Sequence, residues 1–321
     1  PTVKEALTLG GDKLAVDGIL LIGEHGKYPR NEFGNIQYPK RRLFTEILAV
    51  LDASERVVPV FSDKHLSDTW DDAKWVYDQA QQRHMPLMAG SVLPVLWRYP
   101  AADVPADADL KEIVALSYHT LDAYGFHALE AVQALAERRK GGETGIKAVR
   151  CLSDAAVWAA IDDGTVPADL LDDALKAQPR WQHGTRSLRD AVKNPVLFTM
   201  EYQDGLRAHV LTLNGAVANW TAAWRLGDGT RQATHFYTQE ARPFMHFTYQ
   251  LQGIEAMMQT GKPSWPVERT LLTSGTLDAL LRSKAKTGEW LPTPQLVFAY
   301  TCPRLWQQPP PPPPDRPIKG Q

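Results

Sequence analysis

The chain has 321 residues, of which 44% are hydrophobic and 22% charged, and its formal net charge is −2. This balance excludes the strongly basic surface typical of nucleic-acid-binding proteins. No apolar run reaches the roughly 18–20 residues that a membrane-spanning helix needs. The two cysteines, Cys151 and Cys302, lie far apart in the sequence and fit a reducing compartment best. We therefore predict a cytoplasmic protein with no nucleic-acid partner and no membrane partner.

Helices and strands alternate over the first 98 residues. Thr2 and Glu5 have the spacing of a capping box, which predicts a helix at the very start of the chain. The predicted helices lie at about 3–9, 41–52 and 70–83, and the predicted strands at 19–22, 57–61 and 86–89. This β-α-β-α-β order is typical of a doubly wound parallel sheet. We predict one α/β domain over residues 1–98.

Two of these strands end abruptly at ionisable residues. Glu24 and His25 follow the first strand, and Asp63, Lys64 and His65 follow the second. Runs that are apolar on both faces are typical of buried parallel strands. Ligands of open α/β sheets bind just beyond the carboxyl ends of such strands. The five side chains are therefore predicted to lie where a cofactor meets a substrate, which indicates an enzyme.

The pattern changes after a linker rich in Pro and Ala at about 99–106. Strands are predicted at 112–118 and 147–152, with helices at 124–136 and, in part, 155–178. Two hairpins follow, with tight turns at Asp204-Gly205 and Gly227-Asp228-Gly229. Helices at 247–260 and 269–284 complete an α+β domain over residues 99–302, which we predict to contain a large, mostly antiparallel sheet.

Prolines fill every position from Pro309 to Pro314. Because proline has no backbone N–H and a fixed φ, such a run forms polyproline II or remains disordered. We predict that residues 303–321 are a Pro-rich disordered tail that joins no core.

Several short motifs, in this order, resemble the Gfo/Idh/MocA oxidoreductases, the group of glucose–fructose oxidoreductase and inositol dehydrogenase. Gly23-Glu24-His25 occupies the place of a Thr-Pro-Asn-like turn in that family, and Asp63-Lys64-His65 that of Glu-Lys-Pro, whose lysine is catalytic. The segment 123–127 aligns with an Asp-x-x-x-His motif at a helix start. Residues 261–272 match a stretch near the family's carboxyl end. The resemblance covers nearly the whole chain up to Tyr300.

The resemblance implies a Rossmann domain followed by an α+β domain with a large open sheet. It implies an NAD(P)-dependent oxidoreductase that acts on a small carbohydrate-like substrate: a sugar, a polyol or a related hydroxyl compound. It also implies a homo-oligomer formed through the open face of the second sheet. The residues that it places at the site are the catalytic Lys64 and His127, the cofactor contacts Gly23, Glu24, His25, Asp63 and His65, and the substrate contacts Trp97, Arg98 and Tyr124.

The sequence departs from that family's pattern in three places. It contains no Gly-x-Gly-x-x-Gly turn, so we expect only the second half of a Rossmann domain and weak binding of NAD or NADP by the chain as given. Ala123 stands where the motif aspartate is expected, and Asp122 lies one position away. The third departure is His65, which stands in place of the proline of Glu-Lys-Pro.

These departures leave two alternatives open. The first is a metal-assisted lyase or isomerase, in which His25, His65 and His127 converge with Glu24 or Asp63 on a metal ion. No short metal-binding motif supports this reading, and we predict no metal site. The second is a non-catalytic dehydrogenase-like protein that binds a ligand or a partner. The dehydrogenase hypothesis requires that Lys64 and His127 face one cleft, because both must reach the same small substrate.

Overall fold

The computed structural model describes residues 2–23, 26–179 and 186–316. Its α-helices are α1 (Val3–Thr8), α2 (Lys40–Ser54), α3 (Trp70–Gln82), α4 (Phe126–Ala136), α5 (Ala155–Asp162), α6 (Ala168–Lys176), α7 (Leu188–Ala191), α8 (Thr248–Thr260) and α9 (Glu268–Ala285). Among the described helices, none combines the length and the apolar character needed to cross a membrane.

Eleven strands form two sheets within the described residues. The strands are β1 (Ile19–Leu21), β2 (Val60–Asp63), β3 (Leu87–Gly90), β4 (Trp97–Tyr99), β5 (Leu110–Ser117), β6 (Ile146–Ser153), β7 (Val196–Tyr202), β8 (Arg207–Thr212), β9 (Trp220–Leu226), β10 (Arg231–Tyr237) and β11 (Leu291–Pro292).

The smaller sheet is parallel, with the order β1-β2-β3. Helices α2 and α3 contribute to the apolar core beneath it, and β2 is almost completely buried. β2 begins later than predicted, because Val57 and Val58 precede Pro59, which cannot donate to a sheet ladder. The strand also extends beyond its predicted end to Asp63. Asp63 thus lies at the carboxyl end of β2, next to Gly90 of β3.

The larger sheet has eight strands in the order β11-β6-β7-β8-β5-β9-β10-β4. β5 and β8 are parallel, and the other neighbouring pairs are antiparallel. Both predicted hairpins are present as β7–β8 and β9–β10. The predicted fold class, a partial Rossmann-like sheet followed by an α+β unit with a large, mostly antiparallel sheet, is confirmed.

Helices cover both faces of the larger sheet. On one face, α4 and α9 pack over a core that includes Phe198 and Trp224. On the other face, α5 and α6 cover Leu197 and Leu211, each with no exposed surface. Thr221 donates from this face to the carbonyl of Ala174 at 2.8 Å. Within the described residues α6 therefore covers this face over β5 and β9, and the homo-oligomer stays a prediction.

Residues 303–316, which we name the C-terminal strap, do not form the disordered tail that the sequence predicts. They lie against the edge of the larger sheet, where Trp97 Nε1 donates to the carbonyl of Pro310 at 2.7 Å. Trp306 Nε1 donates to the carbonyl of Leu96 at 2.8 Å. Proline carbonyls can make such contacts because they remain strong hydrogen-bond acceptors even though proline has no N–H to donate.

Candidate active site

A cavity of about 360 Å³ opens at the carboxyl ends of the parallel strands and faces the larger sheet. Asp63 and Lys64 enter it from the end of β2, and Val92 and Leu93 from the segment after β3. The remaining lining residues come from the loop before α2, the turn that leads into α4 and the first turn of α4, the larger sheet, the segment between β10 and α8, and the start of α8: Tyr38, Ala123, Tyr124, His127, Trp220, Thr238, Glu240, His246, Phe247 and Gln250.

Lys64 follows β2 directly and is only 7% exposed. Its backbone N–H donates to Oδ1 of Asp63 at 2.9 Å, which fixes the aspartate side chain against the turn. The ammonium group of Lys40, at the start of α2, donates to the backbone carbonyl of Asp63 and is 1% exposed. Two positive charges therefore surround the carboxyl end of β2, which suits an anion or a developing alkoxide more than a cation.

His127 lies in the first turn of α4 and lines the same cavity. Its Nδ1 is 2.6 Å from Oγ of Ser91, whose oxygen also accepts from the backbone N–H of Leu93 at 3.1 Å. The serine hydroxyl proton is then available to Nδ1, which favours the tautomer with the proton on Nε2. Burial and the nearby charge of Lys64 hold the pKa of His127 well below its usual range. A neutral imidazole is therefore present at neutral pH.

Asp122 occupies an unusual turn before α4. Residues Leu121–Gly125 form a π-turn, in which the N–H of Gly125 donates to the carbonyl of Thr120 at 3.0 Å. A π-turn accommodates one residue more than an α-helical turn. Asp122, five residues before His127, thus has nearly the angular position that a residue four before it would have in an α-helix. The sequence spacing that looks one position wrong is compensated by the backbone.

The carboxylate of Asp122 does not line the cavity, however. Its Oδ1 accepts from the backbone N–H of Ile36 at 3.1 Å, and its Oδ2 accepts from the hydroxyl of Tyr38 at 3.2 Å. Burial raises the pKa of Asp122. Because Tyr38 does line the cavity, Asp122 acts on the site by positioning that tyrosine.

His65 is placed differently from the cofactor contact that the resemblance implies. It is 2% exposed, and its Nε2 lies 2.6 Å from the backbone carbonyl of Asp122. Its ring packs edge-on against Phe126 with the centroids 4.2 Å apart. Burial and the charge of Lys64 keep the pKa of His65 well below its usual range. His65 therefore contacts the π-turn and is not among the residues that line the cavity, so its role as a cofactor contact stays a prediction.

Trp97 and Arg98 also lie outside this cavity, contrary to the predicted substrate contacts. Both are buried, with exposed fractions of 0% and 1%. Arg98 donates to Asp103 at 2.6 Å, and its guanidinium lies 4.3 Å from the ring centroid of Trp306. The prediction missed part of this because Trp97 Nε1 and the backbone N–H of Arg98 donate to residues of the C-terminal strap, more than two hundred positions later in the chain.

The remaining predicted contacts fall into two groups. Tyr124 and Asp63 line the cavity, whereas Gly23 is half-buried and packs against α2, where a Cβ on Gly23 would lie 2.9 Å from Leu43. The other two predicted residues, Glu24 and His25, lie outside the described residues.

Most of the other contributors to the site were not predicted, among them Ser91, Trp220, Glu240 and His246. Ser91 follows β3, so the rule that placed Lys64 at a strand end predicts this position too. Trp220, Glu240 and His246 come from the larger sheet and the segment before α8. The sequence contains no local signal for these three, because only the packing of the two sheets brings them to the cavity.

Two kinds of bound group were tested against these residues. The resemblance in sequence implies a nicotinamide dinucleotide, and the cavity beside Lys64 has a volume of about 360 Å³. The residues described here offer no glycine-rich turn for the pyrophosphate: α2 begins after Pro39 without a side-chain cap, and its Lys40 is turned to Asp63. In the same part of the chain no three His, Cys, Asp or Glu side chains come together as metal ligands, and Nε2 of His65 lies 2.6 Å from the backbone carbonyl of Asp122.

No protein-family model matches the sequence, and no curated protein matches it by sequence similarity. Solved structures match its fold. GenD2 from gentamicin A biosynthesis, in complex with NAD, has a TM-score of 0.55 and 13% identity, over 86% of this chain and 78% of that one. Apo scyllo-inositol dehydrogenase from Lactobacillus casei has a TM-score of 0.54 and 10% identity, over 90% and 82%.

An aldose–aldose oxidoreductase from Caulobacter crescentus, complexed with glycerol, has a TM-score of 0.50 and 14% identity, over 86% of this chain and 79% of that one. At these identities the likeness concerns the fold. The chain thus has the fold of inositol and sugar dehydrogenases, in agreement with the resemblance found in its motifs.

Proposed function

We propose that this chain takes part in the NAD(P)-linked oxidation or reduction of a hydroxyl group on a sugar, a polyol or a related small compound. One observation carries the proposal: Lys64, which follows β2, and His127, which lies in α4, line one cavity of about 360 Å³. The fold neighbours support the class of reaction and of substrate, because they include an inositol dehydrogenase, a glycerol-bound oxidoreductase and an NAD complex.

The walls of the cavity suit a polyhydroxylated ring. Tyr124 and Trp220 stack with centroids 5.2 Å apart and an interplanar angle of 23°, and they form an aromatic wall. Aromatic faces pack well against the C–H surface of a sugar, whereas hydroxyl groups need hydrogen-bonding partners. Thr238, Glu240 and Gln250 supply such partners on the other walls. A substrate with one apolar face and several hydroxyl groups fits this arrangement.

Side chains of this protein transfer the proton that the reaction releases or consumes. Oxidation of an alcohol removes a hydride from carbon and a proton from oxygen, and a bound nicotinamide supplies the hydride chemistry. His127 is neutral, and Ser91 engages its Nδ1, so the ring presents Nε2 on the other side. The ammonium of Lys64 stabilises the negative charge that develops on the substrate oxygen. In oxidation the amine of Lys64 takes this proton as the hydride leaves the carbon, and in reduction the ammonium returns it, while the Nε2–H of His127 donates a hydrogen bond to the same oxygen.

The test compares turnover in Lys64→Met with turnover in the unmodified chain. Polyols and aldoses are supplied with millimolar NAD or NADP, and the absorbance of reduced nicotinamide is followed. Loss of a positioned proton-transfer group costs about 10²–10⁴ in rate, which is the decrease expected in kcat. The matched control is Lys74→Met on α3, since Lys74 pairs with Asp78 at 2.7 Å on the surface. The control is expected to keep full turnover.

Near-normal kcat in Lys64→Met would make Lys64 structural and end the proposed mechanism. If the unmodified chain shows no turnover with any nucleotide but binds polyols calorimetrically, the non-catalytic alternative replaces the oxidoreductase. We expect NAD(P) affinity weaker than micromolar for this chain, because the described residues provide no turn for the pyrophosphate. Micromolar affinity would show that this expectation is wrong.

A further inference from the structure

The C-terminal strap contains six consecutive prolines, Pro309 to Pro314. Fixed φ angles hold such a run in polyproline II, which has three residues per turn and a rise of about 3.1 Å per residue. Carbonyls three positions apart therefore point to the same side of the helix, separated by about 9 Å. A protein surface can recognise this conformation by placing two hydrogen-bond donors at that spacing.

The edge of the larger sheet has donors in this arrangement. Trp97 Nε1 donates to the carbonyl of Pro310 at 2.7 Å, and the hydroxyl of Tyr249 points to the same oxygen at 3.4 Å. Gln239 Nε2 donates to the carbonyl of Pro313 at 2.7 Å. Pro310 and Pro313 are three positions apart, in agreement with the polyproline II repeat.

The donors are held in place by the sheet itself. Trp97 in β4 is paired with Tyr237 in β10, and Gln239 follows that tyrosine by two residues. The Trp97 ring is fully buried and contacts the rings of Tyr237 and Tyr249, with centroid distances of 5.9 and 5.3 Å. An aromatic groove with an indole N–H aimed at a proline carbonyl is a general mode of polyproline recognition.

Gln239 connects this groove to the candidate active site. Its Oε1 accepts from the backbone N–H of Met245 at 3.3 Å, and its backbone carbonyl lies 2.5 Å from Nδ1 of His246. His246 lines the cavity, as do Thr238 and Glu240 on either side of Gln239. The same side chain therefore binds the strap and holds the segment that forms one wall of the cavity.

We propose that Trp97, Tyr249 and Gln239 form a polyproline II recognition groove, that residues 309–315 of this chain bind it in cis, and that this binding positions the cavity wall at residues 238–247. The proposal does not depend on the reaction that the cavity catalyses. It requires that loosening the strap also loosens residues 238–247, although the two segments are far apart in sequence.

Hydrogen–deuterium exchange of the full-length chain, measured by mass spectrometry, tests this coupling. Trp97→Phe keeps an aromatic ring and removes the donor to Pro310. Loss of one such hydrogen bond makes local opening about 3- to 10-fold more frequent. We expect exchange to accelerate by that factor at Arg316, whose N–H donates to the carbonyl of Arg242 at 2.9 Å, and at Met245. Trp290→Phe, at a tryptophan that is 41% exposed, is the control and leaves both unchanged.

A second variant leaves every groove residue intact, so misfolding of the groove cannot explain its effect. One extra proline inserted between Pro311 and Pro312 rotates the Pro313 carbonyl by about 120° relative to that of Pro310. The same joint acceleration is expected, whereas Pro311→Ala, at an exposed proline, has no effect. If the strap exchanges faster in both variants while residues 238–247 remain unchanged, the proposed coupling is refuted. Unprotected exchange of the strap in the unmodified chain would refute binding in cis.

Discussion

The cavity around Lys64 and His127 and the polar network beneath α4 are both rich in ionisable side chains, yet they differ in how those groups are satisfied. In the network, Arg269 Nε donates to Glu137 at 3.0 Å and the Tyr300 hydroxyl donates to the same carboxylate at 2.8 Å. Arg139 donates to Glu143 at 3.0 Å. These partners are all buried.

The cavity around Lys64 is different, because it gathers hydroxyl, carboxylate and amide groups around His127, which uses Nδ1 to bind Ser91. Glu137 and Arg269 also border a cavity, of about 240 Å³, but they form an ion pair with each other. A buried charge that has an ionic partner within the protein thus stabilises the fold even beside an open volume, and a site is indicated where such a volume gathers groups that can bind a substrate. We therefore predict effects on the free energy of unfolding for the network and effects on turnover for the cavity.

The largest effect is expected in the network. Arg269→Met removes one partner of a buried pair and leaves the Glu137 carboxylate uncompensated, which typically costs about 3–5 kcal/mol in the free energy of unfolding. Arg42→Met removes an exposed pair with Glu46 on α2 and is expected to change that free energy by about 0.5 kcal/mol or less. Chemical denaturation measures both. A cost below about 1 kcal/mol for Arg269→Met would mean that the network is not mainly structural.

We expect two buried histidines of the larger sheet, in addition to the groups at the cavity, to make the free energy of unfolding depend on pH. Burial lowers the pKa of both His209 and His235 to about 4. Because the folded pKa lies below the unfolded value near 6.5, the unfolded chain binds more protons below pH 6.5. Stability is therefore present above that pH and is lost as pH falls toward 4, by at most about 3 kcal/mol for each histidine.

His209→Gln removes one of these titrating groups, so unfolding free energies measured from pH 7 to pH 4 should fall less steeply than in the unmodified chain. His84→Asn alters an exposed histidine with a left-handed backbone and serves as the control with an unchanged slope. An unchanged slope in His209→Gln would show that this buried histidine does not control acid stability.

The smallest effect is expected for a substitution of Ser91, which contacts His127 at the cavity. Ser91→Ala removes the partner of His127 Nδ1, so kcat is expected to fall about 3- to 10-fold, the value of one hydrogen bond. Donation from the serine hydroxyl favours the neutral imidazole. Its loss raises the pKa of His127 and moves the acidic limb of the pH–rate profile to higher pH. A lower kcat with an unmoved limb would indicate a purely structural role for Ser91.

Short-range sequence patterns predicted much of the fold and some of the residues that line the cavity. Hydrophobic runs and turn residues located the parallel strands and both hairpins, since these depend on neighbours in sequence. The rule that ligands bind at strand ends placed Asp63 and Lys64 at the cavity. His127 came from the family resemblance, and the structure places it with Lys64 as the dehydrogenase hypothesis requires.

Features that depend on distant packing or on unusual backbone were not predictable. The π-turn that compensates the shifted aspartate has no sequence signal, because Asp122 and Ala123 fit an α-helix equally well. The burial of Trp97 and Arg98 depends on the C-terminal strap, whose composition suggests disorder when read alone. Composition describes what a segment does by itself, and not what another part of the chain can bind.

The position of the C-terminal strap also bears on aggregation. β4 is an edge strand of the larger sheet, and exposed edges can pair with strands of other molecules. Here the outward N–H of Arg98 donates to the side-chain oxygen of Gln308 at 3.0 Å, and the prolines follow directly. Because these prolines have no N–H, they cannot serve as a template for a further strand. The segment therefore terminates the sheet and protects the protein against edge-to-edge association.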